Sequence, residues 1–136
     1  MPNDDINRLL DEIGQLIAED RSDRTNDTLL HAELDKNYVA ASIFDDQGDH
    51  IEYREGDLRL SYALLELWEA QEPDKRWAEI EYLLRDNKFL ASFTYPDEIA
   101  SGQNPIDRRD RIVAKHFGKK KIVYPPPPSD AMEYKP

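Results

Sequence analysis

The segment Phe44–Asp57, "FDDQGDHIEYREGD", gathers six carboxylates, Asp45, Asp46, Asp49, Glu52, Glu55 and Asp57, around the single cation Arg54. Carboxylates at this density can bind calcium, work as a general acid and base, or meet a positive partner; they can also simply solvate a turn. Calcium fits poorly, because an EF-hand loop needs glycine at its sixth position and Gly48 stands fourth from Asp45. Transition metals find no spaced ligands either. His31, His50 and His116 fall in separate segments with no His-x-x-x-His or Glu-x-x-His pattern, and the chain has no cysteine. His31 alternates with Glu33 and reads as a surface residue. His50 reads as the wet start of a strand, and His116 as a helix-end residue that complements the dipole. A serine nucleophile lacks its frame: Ser42, Ser61 and Ser92 lie inside regular elements, and no Gly-x-Ser-x-Gly turn occurs. No phosphate-binding glycine loop occurs either. The expectation is a protein that is not an enzyme and needs no metal and no cofactor. The acidic strip remains either a partner surface or a solvated loop.

The elements that must carry these residues follow from periodicity. Ile6, Leu9, Leu10, Ile13, Leu16 and Ile17 fall on one helical face, with Asn3 or Asp4 as a cap. From Thr28 the period becomes two: Leu30, Ala32 and Leu34 alternate with Leu29, His31 and Glu33. A turn at Asp35–Asn37, the β-rich run Tyr38–Phe44, a turn at Gly48 and the short run "HIEYR" complete an antiparallel meander. "DLRLSYALLELWEAQE" predicts a second helix, capped by Asp57 and broadly apolar through Leu58, Leu60, Tyr62, Leu64, Leu65, Leu67 and Trp68. "RWAEIEYLLRDNKFLASFTYP" predicts a hairpin turning at Arg85–Lys88. Its Ile80 and Phe93 are expected in the core against Leu64 and Trp68. A third helix is framed by Asn104 as cap, Pro105 at its first position and Gly118 as its stop, with Ile112, Val113, His116 and Phe117 facing inward. The sum is an α+β fold of two layers, an antiparallel five-stranded sheet with helices, in the order α-βββ-α-ββ-α. It occupies residues 1–124 as a single domain, followed by a proline-rich C-terminal tail over 125–136.

Charge narrows the class of partner. Residues 1–57 hold 16 acids and 5 Lys/Arg, so the entire net charge of −11 lies in the first half of the chain. That field repels nucleic acid and anionic membranes and attracts basic partners. The basic run "RRDRIVAKHFGKKK" is therefore read as pairing within the fold or as solvated, and "PPPP" as a spacer. No segment is long and apolar enough to span a bilayer, and the N-terminus lacks a secretory pattern, which predicts a cytoplasmic protein.

The hairpin "RWAEIEYLLRDNKFLASFTYPDE", followed by an Arg-rich helix, resembles the YezG-like immunity proteins. The resemblance runs through Trp77, Ile80, Phe89, Phe93 and Tyr95, then Arg108 or Arg109 and the helix to Phe117. It covers residues 57–124, and the preceding helix and meander by order of elements. Asp86-Asn87-Lys88 stands where that family turns with an Asp-Gly type pair, and Val113 or His116 stands near the place of a tryptophan. The resemblance implies a cytosolic antitoxin that neutralises a toxin domain, nuclease-like and basic, by occlusion without catalysis. It transfers no binding residue, so the strip Asp45, Asp46, Asp49, Glu52, Glu55 and Asp57, projecting outward, is the expected partner surface on charge alone. Size, acidity and element order are also similar to those of type III secretion chaperones, which bind an extended effector segment.

Overall fold

The computed structural model describes residues 2–19, 27–36, 38–100 and 102–125, with side chains from residue 5 onward. The loop expected before Thr28, the expected turn residue Asn37 and nearly all of the expected tail lie outside the described residues. The elements are α1 (Pro2–Glu19), β1 (Asp27–Asp35), β2 (Tyr38–Asp46), β3 (His50–Arg54), α2 (Leu58–Glu69), β4 (Glu79–Arg85), β5 (Lys88–Thr94), α3 (Pro105–Phe117) and β6 (Lys121–Val123), with short 3-10 turns at Pro73–Lys75 and Pro96–Glu98.

Among the described residues the sheet has six strands in the order β5-β4-β1-β2-β3-β6. This corrects the five-stranded expectation. The sixth strand pairs in parallel with β3, placing Ile51 beside Ile122, so the sheet is mixed. The run after Gly118 reads as a short extended segment in the sequence, but three residues are too few to show a period of two and so to assign it to the sheet. Its direction follows from the chain path: a strand that returns by a long helical crossover arrives parallel. The meander and the hairpin are as expected, and β4 joins them by pairing antiparallel with β1.

The two-layer expectation fails as well, because helices cover both faces of the sheet. On one face α1 and α2 bury Leu9, Leu10, Ile13 and Ile17 with Leu60, Leu64 and Leu67 against Leu30, Ala32, Ile43, Ile80 and Tyr82. On the other, Ile112, Val113 and Phe117 of α3 pack on Leu29, Phe44, Ile51 and Leu83. Each fully buried Leu, Ile or Phe contributes roughly 1.5–3 kcal/mol. Strand β1 is therefore covered on both sides, and its His31–Glu33 face is not a solvent face.

Local chemistry sets the boundaries. Asp57 caps α2 by accepting from the amides of Arg59 and Leu60. Asn104 does the same for Ile106 and Asp107 at the start of α3, and Gly118 ends that helix at φ 79°. Helix α1 instead begins at Pro2, so Asn3 and Asp4 lie inside it; proline is tolerated in a first turn because its missing N–H would have no partner there. The β4–β5 turn places Asp86 and Asn87 at φ 53° and 61° with Arg85 opposite Lys88. These are the two left-handed positions of a type I′ turn, which Asp and Asn tolerate. Ile80 and Phe93 pack in the same cluster as Leu64 and Trp68, as expected, with Phe93 partly buried.

One close approach joins α1 to the sheet. The Tyr82 hydroxyl donates to the Leu10 carbonyl at 2.7 Å, and a Cβ placed on Gly14 would lie 2.5 Å from that hydroxyl oxygen but 3.5 Å from the ring carbon that bears it. Gly14→Ala is expected to destabilise the protein in urea titrations by about 1–3 kcal/mol, although alanine is the better helix former by about 1 kcal/mol. In a Tyr82→Phe background the same change should be neutral or stabilising. Equal costs in the two backgrounds would show that the contact does not govern the helix position.

Candidate functional site

The acidic strip separates into structural and free carboxylates. Asp45 is buried, accepts from the Thr28 hydroxyl at 2.8 Å and pairs with Arg54 Nε at 2.6 Å. Arg54 also donates to the Ile17 carbonyl at 2.8 Å, one of the carbonyls left without a helical partner at the end of α1. Asp46 is buried at the β2–β3 turn, where it accepts from the Gly48 amide and from Lys120 at 2.9 Å. The expectation that these two carboxylates project outward is thus overturned. Phe44 and Asp46 face α3 while Ile43 and Asp45 face α1, and both acids lie where the sheet is covered. Asp57 is exposed, but it serves as the α2 cap and as a partner of Arg59.

Asp49, Glu52 and Glu55 remain exposed. His50 bridges the first two, with Nδ1 2.6 Å from Asp49 and Nε2 3.4 Å from Glu52. The hydrogen bond to His50 lowers the Asp49 carboxyl, and those to Asp49 and then Glu52 raise the imidazole.

Next to Glu55 the surface acquires apolar anchors. Leu58 and Tyr62, one turn apart on α2, are 71% and 64% exposed. The core stripe of α2 is Leu60, Ala63, Leu64, Leu67 and Trp68, which leaves Leu58 and Tyr62 on its flank. The helix is therefore less completely buried than its composition suggests; the signal in the sequence is two apolar residues off the stripe. Arg59 bridges Asp57 and Glu19, so the end of α1 adjoins this patch. Across α1, α2 and residues 55–57, Arg8 and Arg59 are the cations among the described residues, and both are paired with carboxylates.

A second cluster lies between the sheet and α3. Glu79 is fully buried; its carboxylate accepts from both Nε and an NH2 group of Arg108 and lies 2.8 Å from His31 Nε2. Gln103 holds the other arm of Arg108 at 2.9 Å. Glu81 receives Lys115 at 2.6 Å and contacts His116 at 3.0 Å. Arg109 lies 5.6 Å from the ring centroids of both Phe44 and Tyr53 and donates to the Tyr124 hydroxyl. The basic run thus pairs within the fold at Arg108, Lys115, His116 and Lys120. His31, expected on the surface, is buried. No local spacing marks this cluster, since 48 positions separate His31 from Glu79; the available signal is Glu79 and Glu81 on one strand face and Arg108 and Lys115 on the face of α3 that carries Ile112.

Burial pushes the Glu79 carboxyl up, but His31 and Arg108 outweigh it and hold it at about 2, against an ordinary 4.5. The folded state thus binds this proton later than the unfolded state. The resulting stability is complete above about pH 5 and is lost as pH falls toward 2. Glu79→Gln should be destabilised at pH 7, with the gap from the parent narrowing by about 3 kcal/mol between pH 5 and pH 2 in chemical denaturation. Parallel stability curves over that range would contradict the pairing.

No protein-family model matches the chain, and no curated protein matches it. Among the described residues no helix is long and apolar enough to cross a membrane.

Proposed function

We propose that the chain is a cytoplasmic immunity protein of the YezG-like kind, which binds a basic, nuclease-like toxin domain and covers its active site without catalysis. The observation that carries this reading is the exposed pair Leu58 and Tyr62 set among the carboxylates of Glu19, Glu55, Asp57 and Glu66. Interfaces draw their affinity from a few exposed aromatic or apolar anchors, with a charged rim that excludes water and selects the partner. A nuclease must present a positive cleft to its substrate. An acidic rim competes for that cleft and steers a fast encounter, while the anchors slow dissociation.

The binding surface thereby moves from the strip as a whole to its exposed remainder, Asp49, Glu52 and Glu55, extended over the start of α2. Asp45 and Asp46 drop out because Arg54 and Lys120 already occupy them.

The test combines a cell-protection assay with binding kinetics, using a panel of basic nuclease toxin domains. Tyr62→Ala should raise the off-rate by about tenfold or more. Asp49→Asn, Glu52→Gln and Glu55→Gln together should lower the on-rate and flatten its dependence on salt. Protection with unchanged kinetics in both variants would place the interface elsewhere; absence of protection and of binding would overturn the antitoxin reading.

A further inference from the structure

We propose that His31, Glu33 and Glu79 form a binding site for one divalent transition-metal ion, with zinc as the probe. The inference is independent of toxin binding. Three residues, from β1 and β4, each bring one ligand atom to within 4.8 Å of the others. His31 and Glu79 are fixed: their side chains are 4% and 1% exposed, and the Glu79 carboxylate is oriented by Arg108, which Gln103 holds in turn. Metal-binding carboxylates are commonly oriented by such outer hydrogen bonds. A carboxylate has lone pairs beyond those that Arg108 uses. Glu33 lies two residues along β1 on the same face and is partly exposed; its carboxylate makes no hydrogen bond or ion pair among the described residues, so it can turn toward the ion.

Access is provided by small side chains. Ala40 and Ser42 lie opposite Glu33 and His31 on β2. They leave an open cleft of about 120 Å³ bounded by His31, Glu33, Tyr38, Ser42, Ile106 and Arg109. A water molecule occupies roughly 30 Å³ in the liquid, so the cleft has room for the waters that complete a coordination shell. The set of one imidazole and two carboxylates suits zinc or manganese better than calcium or magnesium, because of the nitrogen, and lacks the sulfur that selects copper(I). Binding through Nε2 requires the ring proton on Nδ1: a neutral imidazole moves its proton there, and an imidazolium loses the Nε2 proton to solvent. The two carboxylates match the charge of the ion, and Arg108 leaves one positive charge on the site.

The experiment is isothermal titration of the full chain with zinc chloride, accompanied by thermal unfolding. The parent protein should bind one ion per chain with micromolar affinity or tighter and melt higher with zinc present. Glu33→Gln removes a partly exposed ligand that makes no side-chain hydrogen bond or ion pair among the described residues, so it should leave the metal-free melting temperature unchanged and weaken binding at least tenfold. His50→Gln removes the exposed histidine flanked by Asp49 and Glu52 and should leave zinc affinity unchanged. Absence of saturable one-to-one binding would overturn the proposal. Parent-like affinity in Glu33→Gln, or loss of binding in His50→Gln, would overturn it equally by placing the ion elsewhere.

Discussion

A fully buried carboxylate, Glu79 on a strand covered from both sides, constrains the rest of this fold. An unpaired charge there would cost several kcal/mol, comparable with the whole stability of a small domain. Arg108 must therefore lie over it, which fixes where α3 begins. With α3 so placed, Ile112, Val113 and Phe117 fall over Leu29, Phe44, Ile51 and Leu83 and close the second core. Gly118 then turns the chain so that Lys120 reaches Asp46 and Lys121–Val123 docks beside β3. One buried ion pair thereby connects the centre of the sheet to the strand at its edge.

The same requirement sorts the acids. Asp45, Asp46, Glu79 and Glu81 are buried and each meets a cation, while Asp49, Glu52 and Glu55 stay in water without an Arg or Lys in salt-bridge contact among the described residues. Helices α1 and α2 with residues 55–57 hold nine acids against Arg8 and Arg59 and so carry seven of the eleven net negative charges. On the proposed reading, these acids and the exposed Leu58 and Tyr62 are what a positively charged partner meets.

Much of the architecture was legible in the sequence wherever a single physical rule decides it. The stripe from Ile6 to Ile17, the caps Asp57 and Asn104 and the stop at Gly118 each depend on neighbours in the chain, and each is present. The β4–β5 turn could be read because Asp86 and Asn87 accept left-handed backbone. What escaped was decided by distant residues. The polar face of β1 looked solvated because alternation cannot tell water from a helix whose own charges match it. The strand Lys121–Val123 is defined by its neighbour and by no period of its own. Density of charge was likewise a poor guide to exposure: Asp45 and Asp46 sit in the most acidic stretch of the chain, yet Arg54 and Lys120 are what made that burial possible.

The division between buried and exposed acids can be measured directly by comparing two triple variants in thermal unfolding. One carries Asp45→Asn, Asp46→Asn and Glu79→Gln; the other carries Asp49→Asn, Glu52→Gln and Glu55→Gln. Both remove three negative charges, so they alter the overall field equally. The first should melt more than about 10 °C below the parent or fail to fold, because three partly buried cations lose their partners at positions where the sheet is covered. The second should stay within about 3 °C of the parent. Equal shifts in the two variants would contradict the account.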